Sequence, residues 1–172
     1  MLHLASSSPT RAKMLQDFGV KFSQISCGFD EDTVEAATPR EFVYKATMGK
    51  LEWAKKEYGL DIPLLCADTV VTAEGAILRK PKDVNDAKEI LLKQSGKSVG
   101  IVTCTAYASK TLAFMDISIT EYFFKEFDKD ALDKYLASNE WNGKAGGCMV
   151  EGFCKDYIVS QKGLESCAMG LT

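Results

Sequence analysis

Short apolar runs and helical stripes alternate along the chain from its first residues. Leu2–Ala5 reads as a strand, and Pro9–Phe18 carries helical punctuation: Ser8 as N-cap, proline at the first helical position and Gly19 as the stop. Lys21–Cys27 is a second strand. Thr38-Pro39-Arg40-Glu41 forms a capping box, so a long helix starts there and runs to Tyr58, with Gly59 ending it. The continuous apolar run Leu64–Val71 predicts a buried strand, and Ala73–Ala76 turns it into a short partner ending near Arg79. Asp83 or Asn85 caps a third helix that stops before Gly96. Ser98–Ser109 and Leu112–Phe124 predict two long paired strands, and Asp128 caps a helix over Lys129–Ala137. The glycine-rich stretch 143–152 precedes a last strand, Lys155–Gln161. With no repeat, low-complexity tract or linker, this alternation predicts one α/β unit with a mixed sheet and flanking helices.

Composition narrows the function classes. At 172 residues and 46 % hydrophobic content, the chain has the size of one domain, or of two intimate lobes, and can fill a core. Its 21 basic and 24 acidic residues give a net charge of -3, which offers no global attraction to nucleic acid or to an anionic membrane. Any anion site must therefore be local. No apolar run approaches the roughly 20 residues that span a bilayer, and the N-terminus lacks the regions of a signal peptide, so a cytoplasmic protein is expected. The six cysteines lack CxxC spacing and read as reduced, mostly buried thiols, with Cys148 and Cys154 the one close pair. His3 is the single histidine and sits in the strand-like opening, which removes a Ser-His-Asp triad, a Cys-His pair and histidine-rich metal sites.

Three charged positions break local rules. Arg11 and Lys13 stand in the first turn of the opening helix, where free amides already carry partial positive charge. A phosphate on that N-terminus would resolve the conflict for Arg11, with amides and the Ser6 or Ser8 hydroxyl converging on it. A solvated arginine beside an ordinary Ser-Pro cap is the competing account. Lys50 shares its helix face with Val43, Ala46, Thr47, Trp53 and Ala54, so it points inward and needs a carboxylate or phosphate partner, unless its stem carries the charge out to the rim. Asp68 lies in the middle of the apolar run Leu64–Val71, on the face of Leu64, Cys66 and Val70, where a carboxylate requires a cation. A divalent metal or Lys50 would supply it. The acidic loop Asp30-Glu31-Asp32 offers further oxygen ligands, and Lys80, before Pro81, is placed to meet a second phosphate.

Taken in order, LASSSP with Arg11, GFDED, Lys50 in its helix, ADTVV, KPKD, SGKS with GIVT, KAGG with VEG, and MGL resemble the motifs of the Maf proteins. These are nucleotide pyrophosphatases, also described as inhibitors of septum formation. The likeness runs nearly the whole chain. It implies a single domain over residues 1–172, with two lobes and a central cleft. It also implies hydrolysis of a nucleoside triphosphate to monophosphate and pyrophosphate with a divalent metal, magnesium or manganese. By the resemblance, Ser6, Ser8, Arg11, Lys50 and Lys80 bind phosphate, Asp68 is the catalytic base and a metal ligand, and Glu31 is an acidic loop ligand of the metal. Neither a nucleic acid polymer nor a membrane is implied as a partner, and a homodimer is left open.

Specificity signals conflict. Members acting on dTTP and UTP usually carry two arginines after Ser-Pro, where this chain has Thr10 and Arg11, and glutamine where Glu151 stands. Glutamate in an EGF context resembles a subfamily active on 7-methyl-GTP. Thr69 in ADTVV resembles the dTTP/UTP group, which ranks slightly ahead. The sequence closes at Gly170-Leu171-Thr172, where relatives usually continue into a further helix, so weakened stability or dimerisation is expected. A nucleotide-binding regulator of cell division without significant turnover is the alternative from another class.

Overall fold

The computed structural model describes residues 1–172. Its seven strands form one sheet in the order β2-β1-β3-β5-β6-β7, with β4 hydrogen-bonded to β3. The strands are β1 (Leu2–Ala5), β2 (Phe22–Ile25), β3 (Leu64–Ala73), β4 (Ala76–Leu78), β5 (Ser98–Ala108), β6 (Ala113–Phe124) and β7 (Ile158–Lys162). The helices are α1 (Pro9–Asp17), α2 (Pro39–Tyr58), α3 (Val84–Leu92), α4 (Lys129–Ser138) and the short α5 (Glu165–Ala168). β1 runs parallel to both β2 and β3, whereas β3–β4 and β6–β7 are antiparallel, so the sheet is mixed as its pattern predicts. Two compact units divide the chain: residues 1–69, 103–118 and 169–172 form the first, and residues 70–102 and 119–168 the second.

In the first unit, strand alternation sorts the core onto two faces. Leu65 and Ala67 of β3 pack with Leu4, with Met14 and Leu15 of α1, and with Leu171. Leu64 and Cys66 pack with Leu51 and Ala54 of α2, and with Ala5, Ala106 and Ala108. Each leucine so buried contributes on the order of 2 kcal/mol. The helices that carry β1 to β2 and β2 to β3 therefore cover opposite faces. The strand order reverses between β1 and β3, and ligands of α/β sheets bind beyond the carboxyl ends of the strands at such a point.

In the second unit, Ala87 and Leu91 of α3 pack against Leu132, Tyr135 and Leu136 of α4 and against Trp141. The glycine-rich turn is tied to this core: Gln94 Nε2 donates to the Gly146 carbonyl at 2.7 Å and Tyr135 OH to that of Gly147 at 2.8 Å. Gly146 has φ +62°, and a Cβ there would stand 2.8 Å from Val71, so only glycine fits.

Capping residues behave as the sequence indicates, with Ser8, Thr38 and Asp128 each accepting a first-turn amide. Of the two candidates for α3, Asp83 is the cap, accepting from the Asn85 and Asp86 amides. β7 begins three residues later than the pattern predicts, because Phe153–Tyr157 winds into a 3-10 turn that buries Cys154 and Tyr157. All six cysteines are free thiols. Cys148 stands 3.5 Å from Cys154, and that hydrogen bond, with burial, holds its pKa well above the ordinary thiol value, which makes it a poor nucleophile. His3 is a strand residue bonded to Ser23 Oγ at 2.5 Å. No helix is long and apolar enough to cross a membrane.

Candidate active site

Two consecutive residues of β3 point to opposite faces and recruit opposite cations. Asp68 follows Leu64 and Cys66 onto the α2 side, where Lys50 Nζ bonds its carboxylate. Thr69 follows Leu65 and Ala67 onto the α1 side, where its hydroxyl accepts from Arg11 Nη2 at 2.9 Å. Both lie just past the last residue of β1, since Leu4 pairs with Leu65. The cluster therefore occupies the switch point that the topology defines.

Lys50 is the hub of the α2 side. Its helix face carries the buried residues Val43, Ala46, Thr47, Leu51 and Ala54, so the side chain has no solvated direction and is only 12 % exposed. Besides Asp68, it binds Glu31 Oε2 at 2.5 Å. Glu31 opens the 3-10 turn Glu31–Thr33, whose cap is Asp30. Phe29 fixes that loop, because its ring lies directly over Gly49: a Cβ on Gly49 would sit 2.2 Å from the ring. Gly49→Ala is expected to dislodge Phe29, pull Glu31 from Lys50 and cut turnover by about tenfold or more, the scale set by small displacements of catalytic groups. An alanine variant with wild-type turnover would mean that the loop position is immaterial.

On the α1 side, Ser6 follows β1 and Ser8 caps the helix. Ser6 Oγ accepts from the Ser8 amide at 3.3 Å and from Arg11 Nη1 at 3.1 Å, and the Gln24 side chain fixes its carbonyl at 2.6 Å. Ser8 Oγ accepts the Arg11 amide at 3.3 Å. With its two lone pairs occupied, the Ser6 hydroxyl can only donate, which suits an oxyanion. Arg11 thus turns inward, while Lys13 forms a solvated pair with Asp17 at 2.9 Å. The two cations in the first turn have separate explanations.

Lys80 and Glu151 lie in the second unit. Lys80 is exposed beyond β4, and Glu151, in the turn after the glycine-rich stretch, faces Lys144 at 3.4 Å. Two groups in the first unit escape the sequence reading. Thr103 on β5 is fully buried and hydrogen-bonded to Thr69 at 2.8 Å, and the Gly170 carbonyl accepts from Arg11 Nε at 2.7 Å. Thr103 carries the signal that Asp68 does, a polar residue within an apolar strand. Gly170 carries none beyond the MGL motif.

Burial governs the electrostatics. It raises the Asp68 pKa above the ordinary aspartate value, and the neighbouring charge of Glu31 adds to this, while Lys50 and then Arg11 pull it back. For Lys50, burial alone would lower the pKa, but Asp68 and Glu31 outweigh it and the ammonium is held more firmly than usual. Burial lowers that of Arg11, against the same two carboxylates. Asp68 and Glu31 meeting at one point form a donor set suited to a hard divalent cation. No group of three or more histidines, cysteines or carboxylates is gathered anywhere, and magnesium characteristically takes one or two carboxylates together with substrate phosphates. The two carboxylates fit that role.

A hydroxyl-and-arginine cradle at a switch point of an α/β sheet, next to a carboxylate–ammonium–carboxylate cluster, is a donor arrangement that fits phosphoryl groups. The family model described as "Maf-like protein" matches residues 1–172, and the chain belongs to that family. A nucleoside triphosphate pyrophosphatase of a Nitratiruptor species is 51 % identical over 99 % of this chain and 94 % of its own length. A protein of the same name from Helicobacter pylori is 39 % identical over 99 % and 90 %. Among solved structures, a nucleoside-triphosphatase, or dITP/XTP pyrophosphatase, of Mycobacterium abscessus aligns with a TM-score of 0.44 at 14 % identity over 72 % of each chain, too loosely to bear on function.

Proposed function

We propose that residues 1–172 form one catalytic domain that hydrolyses a nucleoside triphosphate to its monophosphate and pyrophosphate. As a Maf protein the chain is an enzyme, a nucleotide pyrophosphatase acting on acid anhydrides. The observation that carries the reaction is the Asp68–Lys50–Glu31 cluster beside the Arg11 cradle: a buried acceptor for a proton and cations for phosphate charge stand on adjacent strand residues. Asp68 Oδ is the acceptor for the proton of the attacking water, and its raised pKa brings it closer to the working range of a base. Lys50 orients that carboxylate and neutralises charge as it develops on the phosphoryl oxygens. Arg11, the Ser6 and Ser8 hydroxyls and the α1 amides hold phosphate oxygens, and Lys80 serves a further phosphate. Asp68 and Glu31 would hold a divalent cation, magnesium or manganese, which when bound supplies positive charge to the phosphate chain.

Thr69 and Glu151 bear on the choice of base. We rank dTTP and UTP slightly ahead of 7-methyl-GTP, because Thr69 stands in an intact ADTVV. The test is a panel of canonical and modified triphosphates with magnesium or manganese, read by product. Pyrophosphate is the expected release. Orthophosphate in its place would overturn the mechanism, and a preference for 7-methyl-GTP would reverse the ranking.

A further inference from the structure

Arg11 has five N–H donors. Nε donates to the Gly170 carbonyl at 2.7 Å, one N–H of Nη1 to Ser6 Oγ at 3.1 Å, and one of Nη2 to Thr69 Oγ1 at 2.9 Å. One donor remains on each terminal nitrogen, which is the complement a bidentate oxyanion contact requires. None of the three acceptors is a carboxylate. They fix the guanidinium in place while leaving its charge uncancelled at contact distance, and Asp68 and Glu31 act on it only through their field.

Two of the residues behind this fixing, Gly170 and Thr103, are not among those expected to touch substrate. Leu171 is buried against Leu4, Met14 and Leu15, and the Thr172 amide donates to Thr105 Oγ1 at 3.1 Å, so the backbone on both sides of the Gly170 carbonyl is anchored. Gly170 has φ +106°, and a Cβ there would come within 3.0 Å of Arg11 Nε and 3.4 Å of Thr69 Oγ1. Only glycine presents its carbonyl to the arginine in this way. From the sheet side, Thr103 Oγ1 holds the Thr69 hydroxyl at 2.8 Å.

We propose that Met169–Thr172 is a strap which, together with Thr103, positions Arg11 as a two-donor fork for the phosphate chain of the substrate. The proposal rests on the triphosphate reading above, and it makes Gly170 and Thr103 positioning residues. An arginine free to sample its rotamers would have to lose that freedom on binding, whereas a strapped one has lost it on folding.

The test is a double-mutant cycle read by calorimetric binding of inorganic tripolyphosphate, in parallel with steady-state kinetics. Gly170→Ala and Thr103→Val are each expected to weaken tripolyphosphate binding about three- to tenfold, the range in which such networks couple, and to raise KM more than they lower kcat. Thr103→Ser should restore both. Introduced into Arg11→Ala, neither change should weaken binding further. Equal losses with and without Arg11, or an Arg11→Ala protein that binds tripolyphosphate as tightly as wild type, would overturn the proposal. If Gly170→Ala fails to fold, the Thr103 pair decides alone. A protein that passes the binding cycle yet releases no pyrophosphate from any triphosphate sinks the pyrophosphatase reading and leaves the strap standing.

Discussion

Asp68→Asn is expected to reduce turnover by about 10²-fold or more, the usual contribution of a general base, while the protein melts no lower than wild type. Asparagine nearly preserves volume and keeps a hydrogen-bonding oxygen for Lys50, but it cannot take a proton from water. The stability forecast follows from the raised pKa of Asp68. Where the folded value lies above the unfolded one, the folded protein holds the extra proton between the two, and stability declines as pH climbs through that window. Above it, the ionised, 5 % exposed carboxylate is a net burden that the amide removes. Titration of Asp68 gives the wild-type rate profile its acid limb, and the variant should lack that limb. A variant that melts early yet turns over substrate would identify Asp68 as a structural group. Manganese at saturation keeps cation affinity from confusing the comparison.

Lys50→Met should be worse for the fold than any change at Asp68. The ammonium is the one cation bonded to both Asp68 and Glu31, and methionine fills its space without charge. Removing one partner of a buried ion pair costs about 3 kcal/mol or more, with Glu31 adding less because its side chain is 26 % exposed. The folded pKa of Asp68 then rises further, so the deficit should be small in acid and grow as pH increases. Urea titrations at two pH values measure it. Combining Lys50→Met with Asp68→Asn should recover most of the stability and none of the activity. A single variant as stable as wild type at neutral pH would show that Asp68 is neutralised by another group.

The clustering of the candidate residues was legible wherever a rule of local periodicity was broken. Asp68 interrupts an apolar strand, Lys50 interrupts an apolar helix face and Arg11 opposes a helix dipole, and the structure sets all three around the same end of β3. Helix boundaries were legible because Ser8, Thr38 and Asp128 cap through contacts three residues away, which sequence records directly. Where two caps were possible before α3, only geometry could choose Asp83. Phe29 over Gly49 and Gly170 at Arg11 were illegible for the opposite reason. They are close approaches between distant segments, selected by the absence of a side chain, and a missing Cβ has no periodicity.

The bond between Arg11 and Gly170 joins residues 159 apart in sequence. During synthesis at roughly 5–20 residues per second, the arginine therefore waits on the order of 8–30 s for its carbonyl. Through that interval Leu4, Met14 and Leu15 also lack Leu171, so the surface of α1 stays incompletely covered while the second unit is being made. The nascent chain completes the contacts around Arg11 only after the second unit has been made, and until then a ribosome-bound intermediate would expose that apolar patch to chaperones.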